Sequence, residues 1–249
     1  MRVAVIADVH ANEHAIDAVL RAVRAESPDR VVCLGDVVGY NARPVEAVQR
    51  VREACAQVVM GNHDLAVASR TERADGTHGA ARAAQLWTRA QLGEAEHEFL
   101  RSLPVRVVEP ERYVAVHGCY LNDEHHYGYV TGTMLAANLE AVADRGWPRV
   151  AFCGHTHRAM VGWKSGEAVS DPPPTGRVTW PRGAQVVLVN PGSVGQPRDG
   201  DPRAAWALVD LRRRTVDFRR ERYDVAASAE AVHAAGLDPG LAKRLLEGR

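Results

Sequence analysis

Five short apolar segments of the chain each end in polar residues of types that bind metal ions. The segments are rich in valine and lack sustained polar alternation, which is typical of strands buried on both faces. They cover residues 2–7, 30–34, 57–60, 113–116 and 149–153. The residues that follow them are Asp8-Val9-His10, Gly35-Asp36, Gly61-Asn62-His63-Asp64, His117-Gly118 and Gly154-His155-Thr156-His157. A fold that collects these strand ends therefore assembles one polar site.

Helical patterns separate most of these segments. Residues 14–25 and 44–54 place apolar side chains at helical spacing, and Pro44 suits a first helical position. Further helices are predicted over residues 79–92, 94–102 and 133–143. Strands that alternate with helices predict βαβ units and a central, mostly parallel sheet, whose carboxyl edge is where ligands bind.

The end of the chain has a different pattern. Residues 204–210 and 215–223 predict an antiparallel hairpin, and a short helix is expected from Asp238-Pro239, with the aspartate as its cap. Residues 170–183 are rich in proline and glycine and predict an exposed loop. Because the sequence has no clear linker or repeat, we expect a single domain over residues 1–249, with the C-terminal hairpin and helix from about residue 204.

Composition argues against several classes of protein. The formal net charge is +0, so no strong attraction to nucleic acid is indicated. No apolar stretch approaches the roughly 20 residues that span a bilayer, and the N-terminus lacks the pattern of a signal peptide. We therefore expect a cytoplasmic protein without membrane association. None of the four cysteines forms a CxxC pair, which argues against zinc-finger and thioredoxin motifs.

The polar residues at the strand ends form a ligand set large enough for two metal ions. Apart from His63, they supply four imidazoles, two carboxylates and one amide, a mixture that suits Mn, Fe, Zn, Co or Ni. The set comprises Asp8, His10, Asp36, Asn62, His117, His155 and His157. Two ions about 3.5–4 Å apart can share a bridging ligand. Both Asp8/His10 and His155/His157 are two residues apart, so in extended chain each pair points to one side.

In order and type, these motifs resemble those of the calcineurin-like metallophosphoesterase superfamily. The family pattern DxH, GDxx, GNH(D/E), a strand-terminal His and GHxH stands here as DVH at 8–10, GDVVG at 35–39, GNHD at 61–64, VHG at 116–118 and GHTH at 154–157. The resemblance implies an α/β fold, a four-layer αββα sandwich in which two mixed β-sheets are flanked by helices.

The resemblance also implies roles for the site residues. Asp8, His10 and His157 would hold the first metal, Asn62, His117 and His155 the second, and Asp36 would bridge them. His63 would face the substrate, where it stabilises charge or protonates the leaving oxygen. Asp64 would orient His63 by accepting its other N–H, with capping of a helix as the alternative role.

The second motif separates the chain from one branch of this superfamily. Protein Ser/Thr phosphatases and symmetrical dinucleoside-tetraphosphate hydrolases continue it as GDxVDRG, whereas Gly39 and Tyr40 stand here in place of Asp and Arg. The motifs and residues 190–210 are more similar to the small bacterial and archaeal phosphodiesterases. That similarity implies a turn near the site at residues 190–195 and makes Arg198 a candidate phosphate contact.

Other residues are candidates for lining the pocket. Tyr40 and Asn41 follow the proposed bridging aspartate in sequence. His125, His126 and Tyr127 lie in a long loop after His117, where a solvated loop is the expected interpretation and contact with substrate the alternative.

The sequence therefore predicts a metal-dependent phosphoesterase that cleaves a small-molecule or nucleotide phosphoester, favouring a phosphodiester. A hydroxide bridging two divalent or trivalent transition-metal ions, with Mn favoured, would attack phosphorus. Three alternatives stay open: a phosphomonoesterase or nucleotidase, a non-catalytic metal-binding scaffold, and a regulatory module that senses a nucleotide without hydrolysing it. The ligand set alone does not separate diester from monoester substrates.

Overall fold

The computed structural model describes residues 1–69, 79–172, 174 and 176–249. Its α-helices are α1 (Glu13–Glu26), α2 (Pro44–Ala54), α3 (Asn62–Ala68), α4 (Gly79–Gln91), α5 (Glu94–Ser102), α6 (Leu135–Asp144), α7 (Val225–Ala234) and α8 (Pro239–Glu247). Its strands are β1 (Arg2–Ile6), β2 (Arg30–Cys33), β3 (Gln57–Val58), β4 (Arg106–Glu109), β5 (Tyr113–Val116), β6 (Val150–Phe152), β7 (Ala159–Ser165), β8 (Ala168–Ser170), β9 (Arg177–Thr179), β10 (Val186–Pro191), β11 (Ala204–Asp210) and β12 (Thr215–Glu221). A single 3-10 turn, Gly132–Met134, precedes α6.

The strands form two mixed sheets rather than one. Their orders are β3-β2-β1-β11-β12-β9 and β4-β5-β6-β10-β7-β8. The prediction of a central, mostly parallel sheet is wrong, because only β1/β2, β2/β3, β5/β6 and β6/β10 pair in parallel. Strands β7 to β12 follow one another without intervening helices, and such connections favour antiparallel pairing.

The alternating side chains of β1 show how the layers pack. Val3 and Val5 pack in the cluster between the sheets, with Tyr113 and Phe152 of the other sheet. Ala4 and Ile6 point the other way, into the cluster that includes the apolar faces of α1 and α2. Helix α6 covers the outer face of the second sheet. The protein is thus an α/β sandwich of two sheets between helices, as the resemblance implies.

The predicted helices lie within two residues of the observed ones, but several elements were not foreseen. Strands β4, β7, β8 and β9 were absent from the expectations, and helix α3 entered them only through the alternative capping role of Asp64. Strand β9 forms an edge strand inside the expected loop at 170–183. The C-terminal hairpin is followed by two helices rather than one. Helix α7 has the sequence VAASAEAVHA, which is too uniformly apolar to show a clear helical stripe.

No helix among the described residues is long and apolar enough to cross a bilayer.

The two C-terminal helices pack against the loop that follows β2. Val232 of α7 and Leu241 and Leu245 of α8 share a buried cluster with Tyr40. The backbone N–H of Gly200 donates to the carbonyl oxygen of Gly248 (2.9 Å), so the end of the chain also supports the loop after β10. The C-terminal helices therefore support two loops that lie near the carboxyl ends of the strands.

Two leucines of α8 provide a matched test of this packing. Leu241 is 1% exposed and Leu246 is 56% exposed. We expect Leu241→Ala to lower the free energy of unfolding by about 2–5 kcal/mol, because it leaves a cavity beneath Tyr40. Leu246→Ala should change it by less than about 0.5 kcal/mol. Urea unfolding followed by circular dichroism measures both, and equal effects would contradict the proposed support.

Candidate metal centre

The loops after β1 and β2 are joined by backbone hydrogen bonds beyond the ends of the strands. The N–H groups of Asp8, His10 and Ala11 donate to the carbonyl oxygens of Gly35, Asp36 and Val37, at 3.0, 2.9 and 2.9 Å. The two loops therefore continue side by side over the edge of the sheet. This brings the DVH motif against the GDVVG motif.

Five of the expected ligands have left-handed backbone conformations. Their φ angles are 54° at Asp8, 46° at His10, 51° at Asp36, 68° at His155 and 57° at His157. Such conformations are unfavourable for residues other than glycine and are concentrated at functional sites. The expectation that each pair converges through extended chain is therefore wrong. Left-handed turns, held by the surrounding hydrogen bonds, aim these side chains inward.

The first cluster of ligand atoms comes from Asp8, His10, Asp36 and His157, whose donor atoms all lie within 4.8 Å of one another. All four side chains are buried. The Nε2 of His10 is 3.6 Å from Oδ2 of Asp36, and the Nε2 of His157 is 3.7 Å from Oδ1 of Asp8. The two histidine Nε2 atoms lie 3.0 Å apart.

The second cluster contains Asp36, His117 and His155, again with donor atoms within 4.8 Å of one another. The Nε2 of His117 is 3.3 Å from Oδ2 of Asp36, 3.0 Å from Nδ1 of His155 and 3.1 Å from Oδ1 of Asn62. All seven expected ligands are thus brought together. The carboxylate of Asp36 is common to both clusters.

The hydrogen bonds of the histidines fit a site for cations. Three Nδ1 atoms each face a backbone carbonyl oxygen: His10 with Val38 (3.1 Å), His117 with Leu34 (2.7 Å) and His157 with Gln196 (2.6 Å). Because a carbonyl only accepts, each Nδ1 must donate, and in a neutral ring the lone pair is then on Nε2. The lone pairs of His10 and His157 therefore face each other, and a cation between them would satisfy both.

Burial sets the charge state of several ligands. It lowers the pKa of His10 and His157 well below the usual range and that of His155 to about 3, which favours the neutral, metal-binding form. Burial raises the pKa of Asp8 to about 7. At His117 burial acts in the same downward direction as at the other histidines, but the nearby carboxylate of Asp36 outweighs it and raises the pKa to about 9.

His63 lies at the start of α3, against the first cluster. Its backbone N–H donates to Oδ1 of Asp36 at 2.9 Å. Its ring centroid is 4.9 Å from that of His10 and 4.4 Å from that of Tyr40, and its Nδ1 is 3.4 Å from Nε2 of Gln85. A Cβ at Gly39, where φ is +92°, would overlap this Nδ1. Glycine at that position therefore leaves room for the ring.

Asp64 has a different task from the expected one. Its Oδ1 accepts hydrogen bonds from the backbone N–H groups of Val37 (2.9 Å) and Val38 (3.2 Å), and its Oδ2 accepts one from Gly61 (3.0 Å). The carboxylate thus caps α3 and ties it to the GDVVG loop, which is the alternative role. The expectation that Asp64 orients the ring of His63 is corrected, because both oxygens are directed at backbone amides.

The turn implied at residues 190–195 lies beside the clusters. The side chain of Asn190 donates to the carbonyl oxygen of Gly154 at 2.8 Å. The hydroxyl of Ser193 and the N–H of Gly195 both donate to the carbonyl oxygen of Asp8, at 2.8 and 2.9 Å. The turn therefore supports ligands contributed by both sheets.

Of the other residues that the sequence suggested for lining the pocket, some hold nearby loops in place and others lie nearer the surface. Asn41 is buried and donates to the carbonyl oxygen of His10 at 2.7 Å. His126 is also buried, with Nδ1 3.0 Å from the carbonyl oxygen of Cys119, so it serves the loop rather than a substrate. The ring of His125 stacks on that of Tyr127 with centroids 5.5 Å apart.

Two residues near the site had not been singled out. Tyr129 is 55% exposed, and its ring stacks on His155 at 4.4 Å with an interplanar angle of 8°. Gln85, on α4, approaches His63 as described above. No local pattern marks either residue, since each reaches the site only through the path of its own loop or helix.

Comparison with known proteins agrees with this geometry. The family model of the calcineurin-like phosphoesterase superfamily domain matches residues 1–214. The chain belongs to this superfamily. Membership in this superfamily supports the conclusion that the protein is a metal-dependent hydrolase of phosphoesters. The buried cluster of aspartates and histidines could hold a metal ion.

Proteins similar to this chain match nearly its whole length. An uncharacterised protein of Methanocaldococcus jannaschii is 31% identical over 247 residues, covering 99% of this chain and 98% of the relative. The structure of a metallophosphoesterase from Sphaerobacter thermophilus is 35% identical, with a TM-score of 0.85 and coverage of 100% and 99%. A hypothetical protein from Pyrococcus horikoshii OT3, 20% identical with a TM-score of 0.80 and coverage of 100% and 98%, shares the fold.

Because the carboxylate of Asp36 is common to both clusters, Asp36 is the most informative residue to change. We expect Asp36→Asn to reduce bound Mn²⁺ from about two ions per chain to less than one, because both clusters lose the same negative charge. Metal content after gel filtration, measured by plasma mass spectrometry, tests this. Asp123→Asn, at an exposed aspartate paired with Arg145, is the control. Parental metal content in Asp36→Asn would refute a shared ligand.

Proposed function

We propose that the protein hydrolyses a phosphoester, favouring a phosphodiester of a small molecule or nucleotide, at a centre of two transition-metal ions. The observation that carries this proposal is the pair of buried ligand clusters with the carboxylate of Asp36 in common. Two adjoining clusters suit a centre that holds two ions side by side. A structural zinc site would instead be closed and typically built from cysteine.

The ligands divide between the ions according to the clusters. We assign Asp8, His10 and His157 to one ion, Asn62, His117 and His155 to the other, and Asp36 to both. Mixed nitrogen and oxygen donors suit Mn and also Fe, Zn, Co or Ni. When bound, the ions would lower the pKa of a water molecule and neutralise charge on the phosphoryl oxygens.

His63 is the side chain that we assign to the leaving group. It is only 4% exposed, and its ring packs against those of both His10 and Tyr40. The backbone N–H of His63 donates to Oδ1 of Asp36. This bond keeps the ring in a set position relative to the ligands. From there it would donate a proton to the leaving oxygen or stabilise charge on the phosphoryl group. Asp64 acts indirectly, by holding the start of α3.

The surface beside the second cluster supports a substrate that carries a sizeable organic group in addition to its leaving group. Tyr129 presents an exposed ring, held flat by stacking on His155. A flat aromatic surface next to a metal ligand suits contact with an aryl group or a nucleobase. This favours a diester, in which a second organic group stays on the phosphorus.

A direct test compares two substrates on one metal-restored preparation. The protein is stripped with chelator and reloaded with Mn²⁺, and hydrolysis of a bis-aryl phosphodiester is compared with that of the matching aryl phosphomonoester. We expect cleavage that depends on added metal, with the diester preferred. Preference for the monoester would indicate a phosphatase or nucleotidase. Turnover of neither, with Mn²⁺ bound, would point to a scaffold or sensor.

His63→Ala separates chemistry from metal binding. We expect kcat to fall by about 10²–10⁴-fold while both ions stay bound, because the ring assists proton transfer and is not assigned as a ligand. His233→Ala, at an exposed histidine of α7, is the matched control and should keep parental kinetics. Unchanged turnover in His63→Ala would remove this residue from the mechanism.

A further inference from the structure

Arg198 lies at the margin of the first ligand cluster, in the loop that follows β10. Its Nη2 donates to the hydroxyl of Tyr40 at 3.3 Å and to Oε1 of Gln196 at 3.1 Å. Its Cζ lies 5.7 Å from the centroid of the Tyr40 ring. The other neighbours of that ring are His10 and His63, at centroid distances of 4.6 and 4.4 Å. The Tyr40 ring therefore contacts both the guanidinium and the cluster.

The charge of Arg198 is not matched by a carboxylate. Among the described residues, no ion pair within 4.0 Å involves Arg198, whereas Arg203 and Arg220 nearby are paired with Asp201 and Asp199. Its hydrogen-bond acceptors are a neutral phenol and a neutral amide. A guanidinium beside a site built for cations is electrostatically unfavourable unless an anion lies between them. The arrangement thus favours an anionic ligand.

The side-chain amide of Gln196, near Arg198, can also donate a hydrogen bond to an anionic ligand. The Nε2 of Gln196 is buried and has no hydrogen-bond partner among the described residues, while the Oε1 of this amide accepts from Arg198. The backbone carbonyl oxygen of Gln196 accepts from Nδ1 of His157, so the residue adjoins the cluster. A buried donor without an acceptor is costly and is satisfied when a ligand supplies oxygen atoms.

The fold holds this pair of donors in position. Tyr40 shares a buried cluster with Leu241 and Leu245 of α8. The Nε of Arg158 donates to the carbonyl oxygen of Arg198 at 2.9 Å, and the N–H of Arg198 donates to that of His157 at 3.2 Å. The backbone of Arg198 is thus held on both sides and its guanidinium by Tyr40 and Gln196, which limits the entropy lost when it binds a ligand.

We propose that the guanidinium of Arg198, held against Tyr40, binds the phosphoryl group of the substrate beside the metal centre. Arg198 uses Nη2 for its two bonds within the protein, and its planar fork has further N–H groups for phosphoryl oxygens. The inference rests on the proposed function for the identity of the anion. It adds a substrate-binding residue from outside the set of metal ligands.

The test measures binding separately from turnover. Inorganic phosphate is titrated calorimetrically into the Mn²⁺-loaded protein, and KM and kcat are measured on the preferred aryl phosphoester. We expect Arg198→Ala to weaken phosphate binding by roughly 10- to 100-fold, the loss typical of a hydrogen bond to a charged group, and to raise KM. Bound Mn²⁺ should stay unchanged. Added guanidinium should restore part of the affinity, and Arg198→Lys should lie between parent and Ala.

Arg182→Ala is the control, since Arg182 is exposed and precedes β10 at the end of the strand away from the site. Equal phosphate affinity in the parent and Arg198→Ala would overturn the inference, as would a loss of Mn²⁺ from Arg198→Ala or a parent that binds no phosphate. If the parent binds phosphate through Arg198 but hydrolyses no phosphoester, the proposed function fails and the inference about Arg198 stands.

Discussion

The buried carboxylate of Asp36 is the group on which the rest of the site depends. Its Oδ2 lies 3.6 Å from Nε2 of His10 and 3.3 Å from Nε2 of His117, and its Oδ1 accepts the backbone N–H of His63. These contacts join both ligand clusters and the residue assigned to the leaving group. Burying an unpaired carboxylate is costly, so its surroundings must supply positive charge or hydrogen-bond donors. The attraction of the surrounding histidines, led by His117, keeps its pKa well below the usual range despite burial.

The sandwich makes this arrangement possible because it holds strained loops in place. Left-handed conformations at residues such as Asp8, Asp36 and His155 cost of order 1–3 kcal/mol each. Backbone hydrogen bonds between the first two loops, and the turn after β10, oppose relaxation of that strain. Because the strands beneath are buried on both faces, the loop ends cannot shift without disturbing two core clusters. The rigid core thus keeps the side chains of the site in fixed positions.

The C-terminal helices contribute to the site without supplying a ligand. They share a buried cluster with Tyr40, whose ring contacts His10 of the first cluster and the guanidinium of Arg198. The opposite side of the site is bordered by Tyr129 on His155. Tyr40 and Tyr129 lie in loops that follow strands of different sheets, so the shape of the opening depends on how the sheets are stacked. Selectivity among phosphoesters would therefore be determined by loops rather than by the metal ligands.

The sequence by itself determined the principal strands and the seven polar residues that converge beyond their ends. It could do so because valine-rich segments mark strands buried on both faces, and because the polar residues directly follow them. It did not reveal the second sheet through strand patterns or the helix α7, and it left the role of Asp64 open between orienting His63 and capping a helix. Only the tertiary structure decided that Arg198 meets Tyr40, 158 residues away, and that Tyr129 covers His155. Such contacts depend on the paths of loops and on the stacking of two sheets, which no local pattern of residues encodes.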